Sequence, residues 1–140
     1  MSGSDKMKLV RAGSADASPA KGALYVGGQI SFSKLAGGQV EVYSVEFAPG
    51  ARNRVHIHRY DQILIATEGC GIIADEGGAH FMEPGDVVTI PAGHPHWHGA
   101  TADDMFTHLT VAMTGDEIEI VDSDARGAWG VLPEGFEGCG

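Results

Sequence analysis

Glycine and proline interrupt this chain at intervals too short for a helix to survive. With 21 Gly and 6 Pro among 140 residues, few windows keep an unbroken 3.6-residue apolar period. The segments left between them read as short strands at 23–33, 39–48, 53–58, 62–67, 70–74, 79–82, 86–90, 94–98, 105–113 and 117–121. Strands of this length and spacing imply an all-β sandwich or barrel. Pro49-Gly50, Gly37-Gly38, Glu76-Gly77-Gly78, Pro84-Gly85 and Pro91-Ala92-Gly93 supply the fixed or positive φ angles where they reverse.

The expected organisation is a single domain, with an N-terminal arm at 1–22, a barrel at 23–122 and a Gly-rich tail at 123–140. The first six residues, ahead of Met7, read as an added expression remnant. The tail is expected to be irregular, with Trp129, Val131, Leu132 and Phe136 folding back over the barrel or a partner subunit to keep apolar area from water. Cys70 and Cys139 form no CxxC pair, and the reading they support is two unpaired thiols without a catalytic role.

Charge and hydropathy exclude two classes of partner. Nine Lys and Arg against 19 Asp and Glu give a formal net charge of −10, which repels phosphate backbones and anionic headgroups. No apolar run approaches the roughly 20 residues that cross a bilayer, and the N-terminus lacks the apolar centre of a secretory signal. The expected location is cytoplasmic, with no nucleic-acid or membrane partner.

The chemistry concentrates in two stretches. From Gly50 the chain reaches His56, His58, Gln62 and Gly69. Residues i and i+2 of a strand face the same way, so His56 and His58 present two imidazoles side by side, as one cation needs. Gln62 opens the next strand on the parity of Leu64 and Ala66, an inward polar group on an apolar strand. From Gly85 the chain runs through Pro91 and Gly93 to His96, with His98 two positions later. A third imidazole at His96 completes a neutral nitrogen set suited to Mn, Fe, Ni, Co or Zn and unsuited to Ca or Mg.

These two stretches resemble the two motifs of the cupin superfamily. Gln62 stands where that pattern carries Glu, and Ala100 where it carries Asn. The fold implied is an all-β double-stranded β-helix, a jelly-roll barrel. The 15-residue spacer, 70–84, is the short type of small single-domain bacterial cupins. A neutral amide in place of the carboxylate leaves the site near +2, which makes the ion a stronger Lewis acid. Either Gln62 coordinates directly or it lies beside a three-histidine site.

His98 and His108 fall on the parity that points into the same cavity, and they serve either in proton transfer or as hydrogen-bond orienters of the site. His80 and His94 lie in or beside polar turns and are expected to be exposed. Tyr43 and Val45 share a face and are expected to line the cavity, with Phe47 deeper as a core filler.

The stretches PGARNRVHIHRYDQILIATEGCG and PGDVVTIPAGHPHWHGATADDMFTHLTVAM further resemble the small cupin hydroxynitrile lyases, bacterial enzymes that use manganese. The resemblance implies metal ligands at His56, His58, Gln62 and His96, active-site histidines at His98 and His108, and pocket positions at Tyr43, Val45 and Ala112. At Tyr43 the family carries a smaller residue and at Ala112 a glutamine.

The activity implied is cyanohydrin cleavage or synthesis on a small organic substrate, with Mn2+ as cofactor and Zn2+, Fe2+, Ni2+ or Co2+ as alternatives. The alternatives in function are a quercetinase-like dioxygenase and a small-molecule-binding cupin without catalysis. A homodimer or homotetramer is expected.

Overall fold

The computed structural model describes residues 6–121 and 135–140, and strands account for its regular structure apart from one 3-10 turn. All strand pairings are antiparallel. Strands β1 (Ser18–Pro19), β2 (Tyr25–Val26), β3 (Ile30–Ala36), β4 (Val40–Phe47), β5 (Arg52–Asn53), β6 (His56–His58) and β7 (Gln62–Gly69) form the first half. The second half comprises β8 (Gly71–Asp75), β9 (Gly78–Met82), β10 (Val87–Ile90), β11 (Trp97–Ala100), β12 (Phe106–Met113) and β13 (Ile118–Ile120). Among the described residues, no helix is long and apolar enough to cross a membrane.

Two sheets face each other, one in the order β1-β3-β4-β12-β7-β10 and the other β2-β5-β11-β8-β9, with a β13-β6 ribbon at one end. This is the all-β architecture that the strand pattern implied, in the jelly-roll form that the resemblance implied. The alternation on β7 is regular: Gln62, Leu64 and Ala66 are buried while Ile63 is exposed. Phe47, Leu64, Ala66, Met82, Ile90 and Phe106 fill the space between the sheets, and each of these side chains larger than alanine stabilises the fold by roughly 1.5–3 kcal/mol.

Three expected strands are redrawn. The 23–33 segment divides at Gly27, whose φ of 84° turns the chain between sheets. The 53–58 segment divides after Asn53, so β5 joins the five-stranded sheet while β6 pairs with β13. The 94–98 segment becomes strand only from Trp97, because Pro95 lacks the N–H that a ladder needs. His96 nevertheless pairs directly with His56, their backbone N–H groups exchanging bonds of 3.0 and 3.1 Å. The two histidine-bearing stretches are thus clasped by backbone.

The expectation of two unpaired thiols is overturned: Cys70 and Cys139 form a disulfide, with Cα atoms 5.7 Å apart across 69 positions of chain. The 135–140 segment returns over the outer face of the five-stranded sheet, where Phe136 stacks on Phe81 with ring centroids 4.5 Å apart. The expected fold-back therefore holds for Phe136, whereas Trp129, Val131 and Leu132 lie outside the described residues. Sequence pattern hides this pairing because a bond between remote segments has no local signature.

Candidate metal centre

His56, His58 and His96 converge: one ring nitrogen from each lies within 4.8 Å of the others. Their centroids are 4.4 Å (His56–His96), 5.0 Å (His56–His58) and 5.5 Å (His58–His96) apart, and all three residues are buried. Each ring is fixed through its Nδ1, which donates to the Arg54 carbonyl at 2.6 Å in His56 and to the His94 carbonyl at 2.9 Å in His96. In His58 it donates to Asp116 Oδ2 at 2.7 Å.

Acceptors on every Nδ1 put the proton there and leave each Nε2 with its lone pair available, the tautomer a metal ligand requires. The Nε2 atoms of His58 and His96, and Oε1 of Gln62, are buried without a hydrogen-bond partner among the described residues. Buried acceptors are rarely left unpaired. A transition-metal ion would satisfy the convergent imidazole nitrogens at once, so these residues fit the expected cofactor.

Gln62 lines the same cavity, of about 310 Å³, as His56, His58, His98, His108, Tyr43, Val45, Phe47 and Ala112. His96 instead lines a second pocket with His94 and joins the site through its convergence with His56 and His58. His98 and His108 sit side by side, centroids 5.0 Å apart, with His98 5.9 Å from His96 and 6.0 Å from His56. His80 is exposed, and half-exposed His94 is paired with Asp75 at 2.8 Å, away from this cavity. Phe47 is fully buried beneath His98 and His108, as the core filler it was expected to be.

Two residues were not legible in the sequence. Asp116, 58 positions from His58, orients that ring and also accepts the backbone N–H groups of Arg59 and Tyr60. Asn53 is buried, its Oδ1 accepting the His98 backbone N–H at 2.9 Å and its Nδ2 lying 3.2 Å from His98 Nε2. On an unbroken strand Asn53 would face away from His56, and only the break after β5 turns it inward.

Asp116→Asn keeps the shape but removes the carboxylate that fixes the His58 tautomer. Its expected cost is about 10- to 100-fold in metal affinity, measurable by competition with a chromogenic chelator.

Burial sets the protonation of the cluster. Desolvation, followed by the neighbouring His96, pushes His56 down to about 3. Burial is also the main cause at His96 and His108, each lowered to about 4, and it holds His98 well below its ordinary value. All four imidazoles are neutral at pH 7.

In the unfolded chain they protonate near 6.5, so the unfolded state binds more protons below that pH. The stability contributed by their neutral form is complete above about pH 6.5 and is lost as pH falls toward 4. Metal-free protein should weaken in that window by about 1.4 kcal/mol per pH unit for each such imidazole. Urea midpoints between pH 7 and pH 4.5 measure the slope.

Comparison with known proteins agrees with this geometry. The cupin domain profile matches residues 43–112. The (R)-mandelonitrile lyase of Granulicella tundricola is 49% identical over 69 residues, which are 49% of this chain and 53% of that protein. The acireductone dioxygenase of Citrobacter koseri is 30% identical over 60 residues, 40% of this chain and 33% of its own length. The chain thus spans about half of one relative and a third of the other. Among solved structures, a cupin-like protein from Thermotoga maritima superposes with a TM-score of 0.70 at 31% identity, covering 79% of this chain and 92% of that one.

Proposed function

This chain belongs to the cupin family, and on that premise we propose that it is a manganese-dependent lyase that cleaves a cyanohydrin to a carbonyl compound and hydrogen cyanide. The observation that carries the reading is the pair His98 and His108 buried beside three convergent imidazoles, in a cavity whose wall joins apolar Leu24, Phe32, Val45 and Ile118 with polar Glu41, Tyr43 and Thr110. The likeness to the mandelonitrile lyase supports it. The cavity suits a small, largely apolar substrate with one polar end.

A divalent ion held by His56, His58, His96 and Gln62 supplies Lewis acidity that lowers the pKa of a substrate hydroxyl. Geometry favours His108 as the base. Its Nε2 is buried without a partner among the described residues, while its Nδ1 is engaged by Thr110 Oγ1 at 3.2 Å. His98 instead has its ring edge occupied by Asn53 Nδ2. His108 Nε2 takes the hydroxyl proton, the C–CN bond breaks with its electron pair on cyanide, and the imidazolium returns the proton to give HCN.

Tyr43, Val45 and Ala112 shape the substrate pocket. Zn2+, Fe2+, Ni2+ and Co2+ fit the same donors. The outer face of the six-stranded sheet carries Val40, Val42, Ile63, Ile65, Val87, Leu109, Val111 and Met113 in adjacent registers. Val40, Ile63, Val87 and Met113 on it are exposed, an apolar patch of the kind that pairs copies into a homodimer or homotetramer.

The dioxygenase relative gives the second reading. The test is metal-free protein reloaded with Mn2+ and supplied with mandelonitrile in an oxygen-electrode cell. Benzaldehyde and cyanide appearing together without oxygen uptake support the lyase. Oxygen consumption with an enediol or flavonol, and no mandelonitrile cleavage, would establish the alternative. Ligand binding with no product from either would reduce the protein to a binding module.

A further inference from the structure

We propose that the Cys70–Cys139 disulfide is a redox-controlled strap, whose opening by a dithiol reductant releases the 135–140 segment from the outer face of the five-stranded sheet, beside the chain segments that present His56 and His96. The coupling to metal rests on the site described above; the strap itself does not.

The outer face of the five-stranded sheet has a small core of its own, formed by Val55, Ile72, Ala74 and Trp97, with Phe136 packed against it. Two of these residues are chain neighbours of ligands: Val55 precedes His56, and Trp97 lies between His96 and His98. Strand alternation sends the Trp97 side chain outward, under the strap, and the His98 side chain inward. What packs on Trp97 therefore steadies the backbone that presents His96 and His98.

Among the described residues the strap is held by the disulfide, by Phe136 stacked on Phe81 and packed against the small core, and by the Asp103 N–H bond to the Glu137 carbonyl at 3.0 Å. One half-buried aromatic side chain and one hydrogen bond are weaker restraints than a covalent closure of the chain, so the disulfide sets the strap's residence on the sheet.

Cys70 is firmly seated. Gly69 takes a φ of 74°, and a Cβ at Gly71 would enter the Phe106 ring, so the backbone on either side is fixed. Cys70 is 2% exposed while Cys139 is only half-buried, which makes Cys139 Sγ the accessible end. A reductant thiolate attacks Cys139 Sγ, and Cys70 leaves as a thiolate and takes a proton. The reductant's second thiol then displaces Cys139, leaving two protein thiols and an oxidised reductant. Intracellular disulfides are commonly reversible in this way.

The experiment uses the full chain, oxidised with oxidised glutathione or reduced with dithiothreitol, in a Trp129→Phe background so that emission reports Trp97 alone. Oxidised protein should show no alkylatable thiol, and a persistent pair of thiols overturns the proposal. On reduction of metal-free protein, Trp97 emission should move to longer wavelength and return on reoxidation; unchanged emission after two thiols are counted overturns it. In Mn2+-loaded protein, reduction should speed metal release to a chelator about tenfold, and an unchanged rate refutes the coupling. Cys139→Ser should match the reduced protein. If that variant misfolds, the reversible redox cycle of the native chain supplies the same comparison. The emission arm needs neither metal nor substrate, so its result is separable from the mandelonitrile assay.

Discussion

His96→Ala is expected to lower metal affinity by more than about 100-fold, because even changes to the groups that orient a ligand cost 10- to 100-fold and this substitution deletes a donor outright. Elemental analysis should fall from near one ion per chain to near none, and turnover should fall to that of chelated protein. His96 is the contribution of the second motif: His56 and His58 come from one strand, and only the His56–His96 backbone pairing brings a third nitrogen across to them. Without it two imidazoles remain, and Gln62 offers a neutral oxygen too weak to compensate.

His94→Ala is the control. What His94 gives the site is its backbone carbonyl, which accepts from His96 Nδ1, and any residue supplies that. Its ring pairs with Asp75 half in solvent, so metal content should be unchanged. If His96→Ala retains its ion, the convergent imidazoles are not what binds it.

The sequence made the inward faces readable because burial and chemistry both follow a period of two. Gln62 with Leu64 and Ala66, and His108 with Thr110, all point inward as alternation requires. Where the backbone leaves that period the reading stops. The break after Asn53 turns its amide onto His98, and Pro95 delays β11 to Trp97.

Contacts between remote segments are equally invisible to a local pattern. Asp116 meets His58 across 58 positions and Cys139 meets Cys70 across 69. Each follows from where the whole barrel delivers a loop. The candidate ligands were legible, then, while the groups that orient them were not: the candidates share a local spacing in the chain, but their partners need only to arrive from somewhere.

His108→Ala should lower mandelonitrile turnover by about 10²- to 10⁴-fold, the usual contribution of a positioned acid–base group, while metal content and KM stay close to those of the parent. Its ring neighbours are Phe47, Phe106 and His98 and its Nδ1 meets Thr110 Oγ1, whereas the rings of His56, His58 and His96 are held by Arg54, Asp116 and His94, so the metal cluster should survive its removal.

Buried neutral imidazole with a pKa lowered to about 4 is a weak base in water. It becomes competent only when the hydroxyl it faces has been acidified by several units, which ties its function to the loaded site. Activity of the Mn2+-loaded protein should therefore be level from neutral pH down to about 5 and fall as His108 protonates near 4. The His108→Ala variant should lose that acid limb along with its rate.

His98→Ala makes the opposite case. With Asn53 Nδ2 against its ring edge, His98 has less freedom to accept a substrate proton, and its removal should cost less than that of His108. Undiminished turnover in His108→Ala, with metal still bound, would remove this residue from the chemistry and shift the base to His98.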